Sequence, residues 1–381
     1  MKRFVIKCAL FSLPLTVLFV PGLVHLEQHS ELESIEEMAR RSQKNGDLIG
    51  LAYTDPMHLV KQSVLKMRQP ETVALGTSRV LPFRDFCFTN PESFYNCGRA
   101  VGKLKDFSAF VSAFPGKKPK VIILGLDQDF FNVEDEDLVK MPRSYSYNNT
   151  SYGTKLVKGS KAFFEACKDG KVETGDPTEG GQTFIGRNAR LYHAGYRADG
   201  SYCCGRIMRQ VGEAGDYGFE TTIHRIDKGK GRFAPASQIH QDAISEVAKF
   251  LKQCRELDIH VVAFLPPYAS KVYERFNEDA SAYPYVFDLH RQLEPVFEAE
   301  GIVCMDYSDI GSLGANDFET TDGFHGSEVC YLKLLKNLAA KDTVLASFVN
   351  LEFLDHYIKN SYSARQIMME LPEADPREPN R

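Results

Sequence analysis

With 381 residues, the chain is long enough for one large α/β domain or two smaller ones. Its apolar share of 43% and charged share of 25% are those of a globular protein rather than a disordered one. The net charge of −5, with no long basic run, argues against nucleic acid as a partner.

The N-terminus is basic, with Lys2, Arg3 and Lys7, and residues 8–24 are uncharged and mostly apolar. With residues 4–6 the run reaches about 20 residues, the length that crosses a bilayer. No small-x-small cleavage site follows, so residues 1–25 read as a retained signal anchor, with a cleaved signal peptide as the alternative. Glu27, Glu31 and Glu33 lie beyond the span, and the positive-inside rule then puts the bulk of the chain outside the cytoplasm. Residues 26–70 read as a solvated stalk followed by a leading helix, marked by Met57, Val60, Val64 and Met67 at helical spacing.

Residues 71–345 carry the main domain. Apolar runs at 72–75, 94–98, 120–125, 259–265 and 302–305 predict strands. Periodic stretches at 101–114, 240–257, 285–300 and 327–338 predict helices. This alternation points to a mainly parallel sheet with helices on both faces, a three-layer α/β/α arrangement. Residues 132–238 break the pattern with Gly, Tyr, Ser, Asn and charge, and read as a large insertion with small elements of its own. Within it, residues 190–202 are either a substrate-binding loop offering Tyr196 and Arg197 or a plain hairpin turning at Asp199-Gly200. Residues 346–381 read as a C-terminal helix and a disordered tail.

Of the nine cysteines, Cys8 belongs to the apolar span. Outside the cytoplasm disulfides are allowed, and Cys87 with Cys97 is the expected pair. Adjacent Cys203 and Cys204 either pair elsewhere or bridge each other, while Cys254, Cys304 and Cys330 sit in apolar runs and read as core thiols. No Cys-x-x-Cys occurs, and no metal or cofactor is expected.

The chemistry gathers at two places. Gly76-Thr77-Ser78 closes the strand at 72–75, so Ser78 stands where a strand end turns, the position at which open α/β sheets bind ligands. Far along the chain, Asp322-Gly323-Phe324-His325 precedes a helix that Ser327 caps. A carboxylate and an imidazole three residues apart can face the same way. The carboxylate then holds one ring nitrogen and leaves the other to take a hydroxyl proton. Taken singly, these are a loop serine, a capping Asp and a surface His; their combination favours catalysis.

These motifs resemble the SGNH/GDSL hydrolase superfamily. Gly76-Thr77-Ser78 looks like its first block, Asn96-Cys97-Gly98 its second, Gly125-Leu126-Asp127-Gln128 its third, and Asp322 with His325 its fifth. The resemblance implies a flavodoxin-like three-layer fold with Ser78 as nucleophile and His325 and Asp322 as base and orienter. The Ser78 and Gly98 amides would bind the oxyanion, and Asn96 would support that loop. The anchored arrangement is similar to that of envelope acyltransferase-like members, such as the D-alanine transfer protein and the alginate acetylation proteins. The task implied is ester hydrolysis or O-acyl transfer on cell-envelope glycans, with envelope-modification proteins as possible partners.

Two positions depart from the family. Thr77 stands where the family name carries an acidic residue, and Asp127 replaces the Asn that donates to the oxyanion. An ionised Asp127 beside a developing oxyanion would repel it, and losing one donor costs on the order of 100- to 1000-fold in rate. Arg79 is the candidate for an anionic substrate group. Two rival readings follow: a non-catalytic partner in an envelope polysaccharide complex, and a metal-assisted hydrolase using Asp127, Asp322 and His325 or His193.

Overall fold

Among the described residues, ten strands follow in chain order: β1 (Leu48–Ile49), β2 (Thr72–Gly76), β3 (Phe94–Gly98), β4 (Val121–Gly125), β5 (Thr178–Glu179), β6 (Gln182–Ile185), β7 (Gly195–Tyr196), β8 (Tyr202–Cys203), β9 (His260–Leu265) and β10 (Cys304–Asp306). The computed structural model describes residues 1–134, 142–145, 152–169, 178–179, 182–205 and 218–370. Five of the strands form a wholly parallel sheet in the order β10-β9-β4-β2-β3. Every residue of β2, β3 and β4 is buried, which is why these strands read as unbroken apolar runs rather than alternating ones.

Both faces of this sheet are covered. Val73, Leu75, Ile122 and Leu124 join a core with the helices Met57–Arg68, Leu104–Ala113, Gln241–Glu256 and Leu289–Glu298. Ala74, Val121, Ile123 and Phe264 point the other way, into a core with the helices Glu328–Lys341 and Leu351–Asn360. From β2 the chain goes to β3 on one side and then to β4 on the other, so the carboxyl ends of β2 and β4 flank the point where strand order reverses. Connections diverge there and leave a crevice.

The N-terminal helix Lys2–Gln28 contains Phe11–Gln28, a stretch long and apolar enough to cross a membrane. Its C-terminal end packs against the helix Tyr152–Lys168. Residues 26–45 do not stand clear as a solvated stalk. Ser34 caps the helix Ile35–Asn45 by accepting from the Glu37 amide, and Ile35, Met38 and Ala39 bury one face of it against Met57–Arg68. The helix expected over 344–358 is two pieces, Thr343–Ala346 and Leu351–Asn360. The tail expected to be disordered, from Pro372 on, lies outside the described residues.

The remaining strands form a second, smaller sheet in the order β5-β6-β1-β7-β8, so four strands from within 132–238 pair around one from the leading segment. Residues 190–202 contain the hairpin β7–β8. Gly200 sits at φ +80 and its amide donates to Arg197 O at 2.9 Å, closing the turn where Asp199-Gly200 predicted it. The hairpin docks on β3: the Asn96 amide donates to Asp199 O at 2.8 Å, and buried Lys61 Nζ donates to Asn96 O at 2.8 Å and Gly200 O at 2.7 Å.

The expected Cys87–Cys97 disulfide is absent; both thiols are free and buried. The physical reason is the sheet itself. Cys97 points into the core on one face and Cys87 belongs to the core on the other. Cys203 and Cys204 are likewise free.

Candidate active site

The turn that carries Ser78 is built by close packing. Val80 tucks beneath the ends of β2 and β4, and a Cβ on Gly76 or Gly125 would meet its Cγ1 at 2.7 or 2.4 Å. Only glycine at both positions lets the chain turn that tightly. Thr77 Oγ1 then accepts from the Arg79 amide at 3.2 Å and donates to Asp127 Oδ2 at 2.7 Å, tying the turn to the end of β4. Ser78 begins the short 3-10 turn Ser78–Val80.

The second part is the loop carrying Asp322 and His325. Its neck is an antiparallel bridge between Thr320 and Gly326, closed by the Thr321 amide donating to His325 O at 2.9 Å. Gly323 turns at φ +78. Phe324 is buried and anchors the loop, while the neighbouring His325 side chain is one-third exposed. Asp322 Oδ1 accepts from the His325 amide at 2.8 Å and the Phe324 amide at 3.0 Å.

These two parts meet in a hydrogen-bonded series. Ser78 Oγ lies 2.9 Å from His325 Nε2, and His325 Nδ1 lies 2.9 Å from Asp322 Oδ2. Asp322 is about half exposed, and its partial desolvation would by itself raise its pKa. The His325 ring and the two loop amides outweigh it and hold the carboxyl well below the usual carboxylate range. Asp322 is therefore an anion across the physiological range, able to fix the ring with Nδ1 protonated and Nε2 facing the serine.

Arg79 does not face a substrate. It is 1% exposed, with its guanidinium 4.4 Å from the ring centres of both Tyr268 and Phe324. Its hydrogens go to Gln128 Oε1 at 2.7 Å and to the carbonyls of Pro266 and Pro267 at 2.9 and 2.8 Å. Those two prolines end β9 and leave their carbonyls free to accept. Such a desolvated cation over aromatic faces is worth on the order of 2 kcal/mol per contact, and because Phe324 adjoins His325, Arg79 acts as a brace behind the histidine.

Asp127 also proves to be turned away. It is 1% exposed, engages Thr77, and lies outside the cavity that contains Ser78; its Oδ1 has no partner among the described residues. Asn96 supports its loop as expected, donating to Val80 O and Phe83 O at 2.8 and 2.9 Å. Its Oδ1 also accepts from the Gly98 amide at 2.8 Å. The Gly98 N–H expected at an oxyanion is thus already committed. No hydrogen bond engages the Ser78 amide among the described residues.

A cavity of about 410 Å³ opens over the series, lined by Ser78, Leu81, Pro82, Arg99, Tyr202, Cys204, Thr321, Asp322, His325 and Gly326. This size suits a small organic ligand. Leu81, Pro82 and Tyr202 give it apolar walls, and Arg99 supplies a cation. Sequence reasoning missed Arg99, although a signal was present: it follows Gly98 at a strand end and so shares the rim with Ser78. Tyr196 is buried against Lys61, with Nζ 4.9 Å from its ring centre, and does not line the cavity. Arg197 lines a neighbouring cleft and pairs with Glu328 at 3.1 Å and with Glu370. Among the described residues no three His, Cys, Asp or Glu side chains converge as a metal site. His193 lies in a different cleft from Asp322 and His325.

Compared with known proteins, the chain matches no family model, no curated protein and no solved structure.

Proposed function

We propose that the protein is a serine esterase or O-acyltransferase that works through an acyl-enzyme. The observation that carries this reading is the unbroken series Ser78–His325–Asp322 at the carboxyl edge of a parallel sheet, opening into a cavity. His325, oriented by Asp322, takes the Ser78 proton as Oγ attacks an ester carbonyl. The tetrahedral oxygen is stabilised by the Ser78 amide. Collapse expels the alcohol, which takes the proton from His325, and water or a sugar hydroxyl then accepts the acyl group by the reverse steps.

The wider reading follows the SGNH/GDSL resemblance. Strand order β10-β9-β4-β2-β3 is the flavodoxin-like order, and the two opposed cores support a three-layer domain with 132–238 as an insertion. An N-terminal helix whose apolar stretch can span a membrane, with basic residues in its first turns, supports an anchored enzyme with an extracytoplasmic domain acting on acylated envelope glycans. The committed Gly98 amide favours a second reading, a non-catalytic SGNH-like partner in an envelope polysaccharide complex, because it leaves one backbone donor where two are expected. Turnover of p-nitrophenyl acetate by the full chain in detergent separates them. The enzyme reading requires hydrolysis that Ser78→Ala and His325→Ala both abolish; hydrolysis unchanged in both variants refutes it.

A further inference from the structure

Arg99 is the only arginine or lysine among the described residues lining the Ser78 cavity, and its backbone is pinned beside Ser78. Its amide donates to Gly76 O at 3.0 Å and Thr77 O at 3.1 Å, the two carbonyls just before the nucleophile. Its φ is +61, a left-handed conformation that favours glycine and strains a residue with a long side chain. The chain therefore keeps an arginine, directly after Gly98, at a place where glycine is the easier residue.

Its side-chain partner is Asp55, at 2.7 Å from Nη2. Both side chains are about half exposed, 49% and 51%, and such a surface pair contributes little to stability. Pairing with Asp55 does not by itself account for a strained arginine on this rim. Asp322, the carboxylate lining the cavity, is already held by His325. The cavity thus presents apolar walls, a hydroxyl nucleophile and a guanidinium with donors to spare.

The geometry points to Arg99 as the anchor for an anionic group, a carboxylate or phosphate, carried by the ester whose acyl group Ser78 receives. This rests on the acyl-ester reading above. The guanidinium holds the anion through charge-assisted hydrogen bonds, setting the ester carbonyl against Ser78 Oγ. Arg99 is a specificity determinant: it touches substrate remote from the bond that breaks and takes no part in proton transfer.

The test compares matched aryl acetates, 4-acetoxybenzoate and 4-acetoxyphenyl phosphate against neutral 4-acetoxybenzamide, with the full chain in detergent. Ratios between wild type and variant cancel the intrinsic reactivity of each ester. Arg99→Gln is expected to lower kcat/KM for the anionic esters about 10- to 100-fold more than for the amide, and Arg99→Lys to recover part of that. Asp55→Asn, which releases the guanidinium, is expected to keep or increase the anion preference. Equal losses on all three esters, or an Asp55→Asn variant that behaves like Arg99→Gln, overturn the proposal. Calorimetric binding of the non-cleavable 4-acetamidobenzoate and 4-acetamidobenzamide to the Ser78→Ala protein probes the anchor without turnover. A preference for the acid that Arg99→Gln removes supports the anchor even if no ester is cleaved, and no preference refutes it even if esters are.

Discussion

β2, β3 and β4 bury every one of their residues in the parallel sheet, whereas β1, β7 and β8 are two residues long and their hairpin is held through Lys61, Arg84 and Asp199. In the first region stability is spread over many apolar side chains, each worth roughly 1.5–3 kcal/mol when fully buried. In the second a smaller apolar set, Leu48, Ile49, Phe184, Ile185 and Cys203, is joined by a few buried polar groups, and stranding one polar partner exposes the other to its full desolvation cost. Both regions build the candidate site. Ser78 stands just past the end of β2 and the Asp322–His325 loop meets it, while Tyr202 and Cys204, at the end of the hairpin, line the same cavity. Changes in the chemistry and changes in the wall should therefore separate by experiment.

The largest expected effect is on the catalytic side. Ser78→Ala or His325→Ala should lower ester turnover on the order of 10⁴-fold or more while leaving the thermal midpoint within a few degrees, because neither side chain belongs to a core. A large loss of stability in both variants would mean that this edge of the sheet depends on polar contacts as the hairpin does.

Asp199→Ala strikes the hairpin. Asp199 is 4% exposed, accepts from Arg84 Nε at 3.3 Å and from the Asp85 and Ser201 amides at 3.1 and 2.9 Å. Its removal should cost about 3 kcal/mol, and hydrogen exchange should rise first in 195–203 while β2–β4 stay protected. Uniform exchange across both sheets would erase the contrast between them.

Lys61 predicts a pH-dependent effect, smaller per pH unit than the loss at Asp199. Burial pushes its amine down to about 7, and a neutral amine has two N–H groups, matching the carbonyls of Asn96 and Gly200 that it serves. Between that value and its ordinary pKa of 10.5 the unfolded chain binds more protons, so stability rises with pH. The rise should approach roughly 1.4 kcal/mol per pH unit, be absent below about pH 7, and vanish in Lys61→Met, as followed by thermal midpoints across that range.

The smallest effect is expected at Asp127. An amide there still accepts the Thr77 hydroxyl, so Asp127→Asn should change kcat by less than about fivefold. An increase of about 100-fold, the size of one restored oxyanion donor, would show that position 127 reaches the reacting atoms.

Much of the parallel sheet was legible because fully buried strands leave continuous apolar runs, such as 72–75 and 121–124. The pairing of Ser78 with Asp322 and His325 was legible through motif order. Side-chain direction was not. Arg79 adjoins Ser78 in sequence yet points inward to Gln128 and two proline carbonyls, contacts that come from beyond the ends of β4 and β9 and cannot be read locally. Cys87 and Cys97 are close in the chain but serve opposite faces of one sheet. The polar run 26–45 looked like a stalk because Ile35, Met38 and Ala39 make a narrow apolar stripe among charges. Beyond the β7–β8 hairpin, the small sheet eluded reading because β1 and β5 are two residues long and carry no periodicity.

The central claim is that Ser78 is an activated nucleophile. Treating the full chain with a fluorophosphonate and mapping the adduct by peptide mass spectrometry tests it most directly. One major adduct is predicted, on Ser78, lost in His325→Ala and in protein unfolded before treatment. No adduct on Ser78, or equal labelling with His325 removed, would contradict it.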